Sequence, residues 1–181
     1  DHVENAAITT ATTGVNLTGN AQGNQLFGNS KDNFLSGLGG DDQLRGNGGN
    51  DTVDGGAGND TLTGGLGSDV FAWHLGDQGT AGAPARDTVT DFSKSTAAGS
   101  DDVLNLKDLL QGEAHPSSGT GIGNLDHYLH FEKSGSNTIV HVSSDGRFSA
   151  ADSAAAITGK EDLQIVLQAV DLTTAGTDQQ I

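Results

Sequence analysis

Large apolar residues recur at every ninth position between residues 17 and 71. They stand at Leu17, Leu26, Leu35, Leu44, Val53, Leu62 and Phe71. Glycine and small polar residues fill most of the intervals, so neither a helical period of about 3.6 residues nor a strict alternation extends along this segment. A fixed period of this length predicts a repeat of short strands joined by turns, in which each unit buries its apolar residue against its neighbours.

Glycine keeps the same nine-residue period, and an acid or amide follows five residues after each repeated glycine. The glycines are Gly19, Gly28, Gly37, Gly46, Gly55 and Gly64, and the polar residues are Asn24, Asn33, Asp42, Asp51, Asp60 and Asp69. Three positions per unit therefore keep one register over six units, which chance does not explain. Of the 28 glycines, 15 fall between residues 19 and 67, a density that excludes regular helix and requires tight turns.

The unit at residues 55–63 reads GGAGNDTLT and fits the pattern GGxGxDxUx. It resembles the calcium-binding nonapeptide repeat of the RTX family. The resemblance implies a parallel β-roll, in which two nonapeptides complete one coil of 18 residues and the turns stack along two edges. Apolar residues of alternate units then meet from two sheets, with Leu26, Leu44 and Leu62 in one and Leu17, Leu35, Val53 and Phe71 in the other.

The composition favours a fold that depends on calcium. The chain has 24 acidic against 8 basic residues, a net charge of -16, and 20 of the acids are Asp. This charge excludes nucleic acid as an expected partner and favours cations. Only 33% of the residues are hydrophobic and none is Cys, so the core is thin and disulfides are excluded. Bound calcium is the expected substitute for the missing core.

The turns offer the ligands that calcium prefers. Calcium binds about six to eight oxygens, and a glycine-rich turn presents carbonyls while a short Asp reaches the ion. Because turns on one edge lie 18 residues apart, we expect one ion to be held by Asp42 and Asp60 and a second by Asp51 and Asp69. At least two ions are expected. The other ligand positions in these turns are Gly37, Gly39, Gly46, Gly48, Gly55, Ala57, Gly64 and Leu66.

Several polar residues outside these four turns are further candidate ligands. Asn24 and Asn33 carry an amide where the acid belongs, so their sites are expected to be weak or absent. Asp87 and Asp91 resemble acids that bind calcium beside the roll in related domains, with strand-end and turn roles as the alternative. Surface or solvated positions are expected for the remaining acids near the repeat, which are Asp32, Asp41, Asp54, Asp101 and Asp102.

Beyond Phe71, alternating apolar runs predict a second, antiparallel region that caps the roll. Strands are predicted within residues 87–92, 101–106, 128–132, 138–143 and 163–170, with a hairpin around residues 133–137 and a helical turn at 107–110. Trp73 is expected to pack at the junction. The whole is an all-β protein with a leader or linker at 1–16, a calcium-stabilised parallel β-roll at 17–73, and an antiparallel cap or sandwich at 74–181.

The order of these motifs after residue 68 is similar to the C-terminal target domain of type I secreted proteins, above all that of large RTX adhesins of Gram-negative bacteria. The resemblance implies a secreted or cell-surface protein with a role in adhesion and biofilms. Its partners would be the ABC transporter, membrane fusion protein and outer-membrane channel of a type I apparatus. A monomer without a membrane span is expected. The chain begins at Asp1, lacks Met and ends at Ile181, so we expect a piece of a longer protein and an incomplete export signal.

No catalytic residue is predicted. His127 and His130 would face opposite sides of a strand, and His141 is expected beside His130 across the hairpin as a polar pair. The glycine-rich stretch at 119–123 lacks the Lys of a phosphate loop. Two other functions stay open, namely the same module on a secreted hydrolase and a roll that binds ice or carbohydrate. Ice binding is disfavoured because it would require outward-facing Thr or Asn in successive units, and no Thr occupies the third position of any repeat.

Overall fold

The structure is a computed structural model that describes residues 5–7, 12–94, 101–110, 127–149, 152 and 154–172. Within these residues, thirteen short strands and one helical turn account for the regular secondary structure. The strands are β1 (Asn5–Ala7), β2 (Asn16–Asn20), β3 (Gln25–Phe27), β4 (Phe34–Leu38), β5 (Gln43–Gly48), β6 (Thr52–Asp54), β7 (Thr61–Leu66), β8 (Val70–Ala72), β9 (Ala85–Val89), β10 (Val103–Asn105), β11 (Leu129–Ser134), β12 (Asn137–Val142) and β13 (Leu163–Leu167), and the helical turn is α1 (Ala154–Ile157).

Alternate strands of the repeat belong to two different sheets. The first sheet has the order β1-β3-β5-β7-β9-β13-β12-β11, and the second has the order β10-β8-β6-β4-β2. The pairing is parallel throughout the second sheet and from β1 to β13 in the first. Each unit of nine residues thus carries the chain from one sheet to the other, which confirms the predicted all-β class and the parallel β-roll.

The core between the sheets is a single layer of the repeated apolar residues. Leu26, Leu44 and Leu62 are register partners in the first sheet. The second sheet aligns Leu17, Leu35, Val53 and Phe71 in the same way. All seven side chains are at most 8% exposed. The strand pairing thus confirms the predicted assignment of each residue to its sheet. The assignment was possible because a strict spacing of nine residues leaves no other register.

The turns that end in Asp share one backbone conformation. In the turn at 55–60, Gly56 and Gly58 have φ angles of 85° and 145°, in the left-handed region that glycine adopts most readily. The second and fourth positions of the other three such turns are also left-handed, and they are Leu38, Gly40, Asn47, Gly49, Gly65 and Gly67. In the turns at 19–24 and 28–33 no residue has a positive φ. The two kinds of turn therefore differ in backbone as well as in side chain.

The region after the roll continues its sheets. β9 pairs with β7, with Thr88 opposite Thr61, and β10 pairs with β8, with Leu104 opposite Phe71. Both pairings are parallel, a continuity that the sequence analysis did not anticipate. β13 then adds to β9, and the predicted hairpin follows as β12 and β11 in antiparallel pairing. The proposed boundaries at residues 16 and 73 stay predictions, and the stretch at 119–123 lies outside the described residues.

Two smaller predictions for this region are confirmed. The amides of Leu109 and Leu110 donate to the Leu106 carbonyl at 3.0 and 3.2 Å, which forms the helical turn expected at 107–110. Trp73 is 1% exposed at the junction between the repeat and the later strands. Its indole Nε1 donates to Asp87 Oδ2 at 2.6 Å. The indole thus fixes Asp87, which lies in β9 beyond the repeat.

Candidate calcium-binding site

Each of the four turns that end in Asp, at residues 37–42, 46–51, 55–60 and 64–69, places a buried carboxylate at its end. Only one of the two oxygens of that carboxylate accepts a hydrogen bond. Asp42, Asp51, Asp60 and Asp69 are at most 3% exposed. One oxygen of each, Oδ1, accepts a backbone amide from the preceding coil. The other oxygen, Oδ2, is buried and accepts no hydrogen bond in any of the four. A buried anionic oxygen without a donor is strongly unfavourable unless a cation lies against it.

The carboxylates on one edge of the roll are connected in series. The Asn24 amide donates to Asp42 Oδ1 at 2.6 Å, and the Asp42 amide donates to Asp60 Oδ1 at 2.8 Å. The Asp60 amide donates in turn to Asp87 Oδ1 at 2.8 Å. We call this series the first carboxylate ladder. It brings together Asp42 and Asp60, the pair expected to share an ion.

The opposite edge repeats this arrangement. The Asn33 amide donates to Asp51 Oδ1 at 2.7 Å, and the Asp51 amide donates to Asp69 Oδ1 at 2.8 Å. The Asp69 amide donates to Asp102 Oδ1 at 2.9 Å. This is the second carboxylate ladder. It brings together Asp51 and Asp69, the pair expected to hold the second ion.

The glycine that opens each of these turns has no side chain, which leaves room for oxygens from two coils. A Cβ placed on Gly37 would lie 2.0 Å from Asp42 Oδ2 and 2.4 Å from the Gly55 carbonyl oxygen. A Cβ on Gly46 would meet Asp51 Oδ2 at 2.1 Å and the carbonyl oxygen of the next coil at 2.7 Å. Carboxylate and carbonyl oxygens therefore converge at the open faces of Gly37 and Gly46, and the carboxylates of Asp60 and Asp69 approach Gly55 and Gly64 in the same way. This all-oxygen donor set fits calcium, and the required space explains the Gly-x4-Asp spacing.

Carbonyls at the third position of these turns link neighbouring coils. The Ala57 carbonyl accepts the Gly40 amide at 2.9 Å, and the Leu66 carbonyl accepts the Gly49 amide at 2.9 Å. Each carbonyl oxygen keeps a second lone pair that a cation can use. Gly39 and Gly48 occupy the same position one coil earlier, where Gly39 bridges to Ala57. Calcium binding by these four carbonyls stays a prediction.

The turns at 19–24 and 28–33, which end in Asn instead of Asp, need no cation. Asn24 Oδ1 accepts the Asn20 amide at 2.8 Å, and Asn33 Oδ1 accepts the Asn29 amide at 2.8 Å. Each side-chain oxygen is thus satisfied by the backbone of its own turn, and the side chain carries no charge. Weak or absent calcium binding by these two turns stays a prediction.

Asp87 and Asp91 have defined backbone roles at the end of the repeat. Both Asp87 oxygens accept hydrogen bonds, from the Trp73 indole and the Asp60 amide. Asp91 accepts the Gly64 amide at 3.0 Å and the Gly65 amide at 2.9 Å, so it caps the last turn of the repeat. These contacts match the strand-end and turn roles considered as the alternative. Calcium binding by either residue stays a prediction.

The expectation that Asp102 is a surface acid is wrong. Its side chain is partly buried. Oδ1 accepts a hydrogen bond from the Asp69 backbone amide, and Oδ2 accepts one from the Ser93 backbone amide at 2.7 Å. The physical reason is that Asp102 lies two residues before Leu104, which aligns with Phe71, just as Asp69 does within the repeat. The order Asp, any residue, inward apolar residue is the signal that identifies it. The neighbouring Asp101 is exposed, as expected.

Asp54 is likewise not solvated as expected. Its side chain is 14% exposed, and Oδ2 lies 3.5 Å from His74 Nδ1. The segment that follows β8 covers this part of the outer face of β6, which a reading of one unit at a time does not reveal. Asp32 and Asp41 are exposed, as expected, and their Oδ1 atoms accept the Asn50 and Asn59 amides.

Burial raises the pKa of the ladder carboxyls. The pKa of Asp60 rises to about 8, and those of Asp42, Asp51 and Asp87 rise to about 6. Burial is the largest cause, backbone amide donors oppose it, and neighbouring carboxylates add to it. The same cause raises the pKa of Asp69. The ionised forms are therefore unfavourable in the folded chain without a cation, and bound calcium removes that penalty.

The expected histidine pair is confirmed in the hairpin. His130 lies opposite His141, with ring centroids 6.0 Å apart. His141 is buried, with Nε2 at 3.1 Å from Glu132 Oε2 and Nδ1 at 3.2 Å from Glu161 Oε2. Burial and the neighbouring His141 lower the pKa of His130. Two carboxylates thus flank the buried ring, which the sequence did not indicate.

Comparison with known families agrees with this geometry. Residues 18–53 and 37–71 match the family described as RTX calcium-binding nonapeptide repeat (4 copies). This part of the chain is thus a set of RTX repeats, a calcium-binding module whose cofactor is Ca²⁺ in several copies. The sequence has no significant match among curated proteins. No helix in the described residues is long and apolar enough to cross a bilayer.

Two solved structures are similar in shape to this chain. They are the solution structures of the AlgE6R3 and AlgE6R2 subunits from the Azotobacter vinelandii mannuronan C5-epimerase. Sequence identity is 23% and 26%, with TM-scores of 0.46 and 0.47. Each alignment covers 92% of this chain, and they cover 77% and 89% of the two subunits, respectively.

Proposed function

We propose that the chain is the non-catalytic, calcium-binding C-terminal module of a large type I secreted adhesin, and that it folds when it meets extracellular calcium. One observation carries this proposal. Four buried carboxylates of the roll each keep an oxygen without a donor, around a core only one side chain thick. Such a fold is stable only when cations occupy its edges, because metal binding then supplies the free energy of folding.

Dependence on calcium gives the module a switch between two compartments. The chain would stay unfolded at the low calcium concentration of the cytosol and pass through the ABC transporter, membrane fusion protein and outer-membrane channel. Outside, calcium binds the folded state and not the unfolded one, so it shifts the equilibrium toward the roll. The module would then remain outside a Gram-negative bacterium, on a protein that serves adhesion and biofilm formation.

The placement at the end of an adhesin rests on the strands that follow the repeat. Their order resembles the target domain at the end of large RTX adhesins, and β9 and β10 supply Asp87 and Asp102 to the two ladders. The region that resembles the export domain is therefore also the region that completes the roll. The part of the protein that precedes Asp1 would distinguish the passengers, since tandem extender domains support the adhesin and an enzyme domain supports the hydrolase.

The direct test is folding of the chain as calcium is added. We expect circular dichroism to show little β structure in a metal-free buffer and a cooperative gain with calcium. Magnesium at the same concentration should not substitute, because Mg²⁺ requires a rigid octahedral site and loses its water reluctantly. Equal protection of β4 to β7 from hydrogen exchange with and without calcium would overturn the proposal.

A second test addresses export. The chain would be fused behind a reporter protein and expressed with a complete type I apparatus. Export of the fusion that depends on this chain supports the proposal. Export of the reporter in equal amount without residues 74–181 would overturn the part assigned to that region.

A further inference from the structure

Apart from the ladders, three side chains with metal-binding atoms meet on the outer face of the second sheet. Asp54 ends β6, and His74 and Asp77 lie in the turn after β8. His74 Nδ1 is 3.5 Å from Asp54 Oδ2 and 3.8 Å from Asp77 Oδ2. One ligand atom from each of the three residues lies within 4.8 Å of the other two.

These separations are close to those of a tetrahedral metal centre. Zinc binds nitrogen and carboxylate oxygen at about 2.0–2.2 Å, so two of its ligands lie about 3.3–3.5 Å apart. The two separations from His74 Nδ1 equal this edge or exceed it by a few tenths of an ångström, and the two carboxylates lie within 4.8 Å of each other. One imidazole nitrogen and two carboxylate oxygens also suit Zn²⁺ better than Ca²⁺, which prefers oxygen alone.

The surroundings hold these ligands in place. The His74 amide donates to Asp77 Oδ2 at 2.5 Å, and the Asp77 amide donates to the His74 carbonyl at 3.1 Å, so one tight turn fixes both residues. The second ring nitrogen, His74 Nε2, lies 3.8 Å from Asp108 Oδ2. At this distance the carboxylate attracts a charged ring as an ion pair but accepts no hydrogen bond from it.

Asp54, which is mostly buried, keeps one oxygen without a hydrogen bond of normal geometry, although the Gly56 amide is a nearby donor to this carboxylate. Asp54 Oδ1 has no solvent contact and accepts no hydrogen bond within normal distance and angle, and Ser36 Oγ approaches Oδ2 only to 3.5 Å. His74 is 49% exposed, so the cluster is open to water on one side. Three protein ligands and an open fourth position are the arrangement of a zinc site that keeps a water molecule.

The geometry points to a zinc site formed by Asp54, His74 and Asp77. The site is distinct from the two calcium-binding edges. It joins β6 to the turn after β8, so bound zinc would link the repeat to the region that follows it.

The test uses the full chain saturated with calcium, so that the ladders do not compete for the probe. Calorimetry with zinc chloride should show one site per chain. His74→Gln and Asp77→Asn should each weaken it at least about 100-fold, more than removal of an outer-shell partner usually does. Cobalt(II) should give the intense visible absorption of tetrahedral coordination, and each variant should lose it.

His127→Gln is the matched control, because His127 is exposed and lies outside the cluster. It should leave zinc binding unchanged, and calcium-driven folding followed by circular dichroism should be equal in all three variants. Absence of zinc binding by the unaltered chain overturns the inference. So does binding that survives both cluster variants, or that His127→Gln removes.

Discussion

The first two turns of the roll and the four that follow share one period but differ in how their polar side chain is satisfied. Asn24 and Asn33 accept an amide of their own turn, in a backbone without left-handed residues. In the later turns, left-handed residues occupy the second and fourth positions, and the carboxylate keeps a buried oxygen without a donor. The apolar period thus sets the coil, while the turn determines whether the coil needs a cation.

The comparison shows that stacking and calcium binding are separable properties of the repeat. Leu17 and Leu26 pack in register with the later residues although their turns carry amides. The backbone amides of Asn24 and Asn33 still donate to Asp42 and Asp51 in the following coil. Both ladders thus begin on turns that need no ion. We therefore expect calcium dependence to be concentrated in residues 37–69, and the following changes test that distribution.

Gly37→Ala should have the largest effect. The new Cβ would lie 2.0 Å from Asp42 Oδ2 and 2.4 Å from the Gly55 carbonyl, so it displaces two oxygens and separates two coils. A loss of about 4 kcal/mol or more in calcium is expected from thermal or urea unfolding. Gly39→Ala in the same turn is the control, because its nearest contact would be 3.6 Å away and its φ is not in the left-handed region. Equal losses for the two variants would contradict the inference that the space beside Gly37 is needed for the oxygens of Asp42 and Gly55.

Asp60→Asn should have the next largest effect. The amide keeps an acceptor for the Asp42 amide but removes the negative charge that a shared ion requires. We expect a loss of about 2–3 kcal/mol in calcium, or roughly 5–10 °C in melting temperature, and a weaker calcium titration. Asp41→Asn removes the same charge from an exposed position in the preceding coil and should change both quantities little. Equal shifts for the two variants would mean that net charge, not position, controls the roll.

The metal-free chain should become more stable as the pH falls. The pKa of Asp60 is about 8 in the folded chain against its ordinary value of 3.8, and that of Asp42 is about 6. The folded state therefore binds more protons than the unfolded state between about pH 4 and pH 8, so its stability decreases as the pH rises through this window.

Circular dichroism of the chain at pH 5 and pH 8, after removal of metal on a chelating resin, checks this direction, because a larger fraction of the chain should be folded at pH 5. With saturating calcium the order should reverse, because protons compete with calcium for the same carboxylates. A metal-free chain that is more stable at pH 8 would show that these carboxyls are not buried in the folded state.

Asn33→Asp should have the smallest effect. The new carboxylate can accept the Asn29 amide as the present amide does, and the turn still lacks the left-handed positions of the later turns. The expected changes are no additional ion in calorimetry and a stability within about 0.5 kcal/mol of the unaltered chain. One extra calcium ion per chain would mean that the acid alone creates a site and that the backbone difference is secondary.

The repeat was predictable because three registers agree in every unit. That agreement determines both sheets, the inward residues from Leu17 to Phe71, and the pairing of Asp42 with Asp60. The period ends after Phe71, and 33 residues separate Asp69 from its partner Asp102, which is why the last member of the second ladder was assigned to the surface. The meeting of Asp54 with His74 was also unpredictable, since it depends on how a turn without a repeat folds back over β6.

The ladders also give the roll a direction. Every amide in them donates to a carboxylate that comes later in the chain, and the last acceptors are Asp87 and Asp102. Removal of the first coil would leave carboxylate lone pairs that water can solvate, whereas removal of β9 and β10 would leave the buried Asp60 and Asp69 amides without acceptors. The two ends are therefore not equivalent for growth. The downstream strands therefore close both ladders by supplying their last acceptors, Asp87 and Asp102.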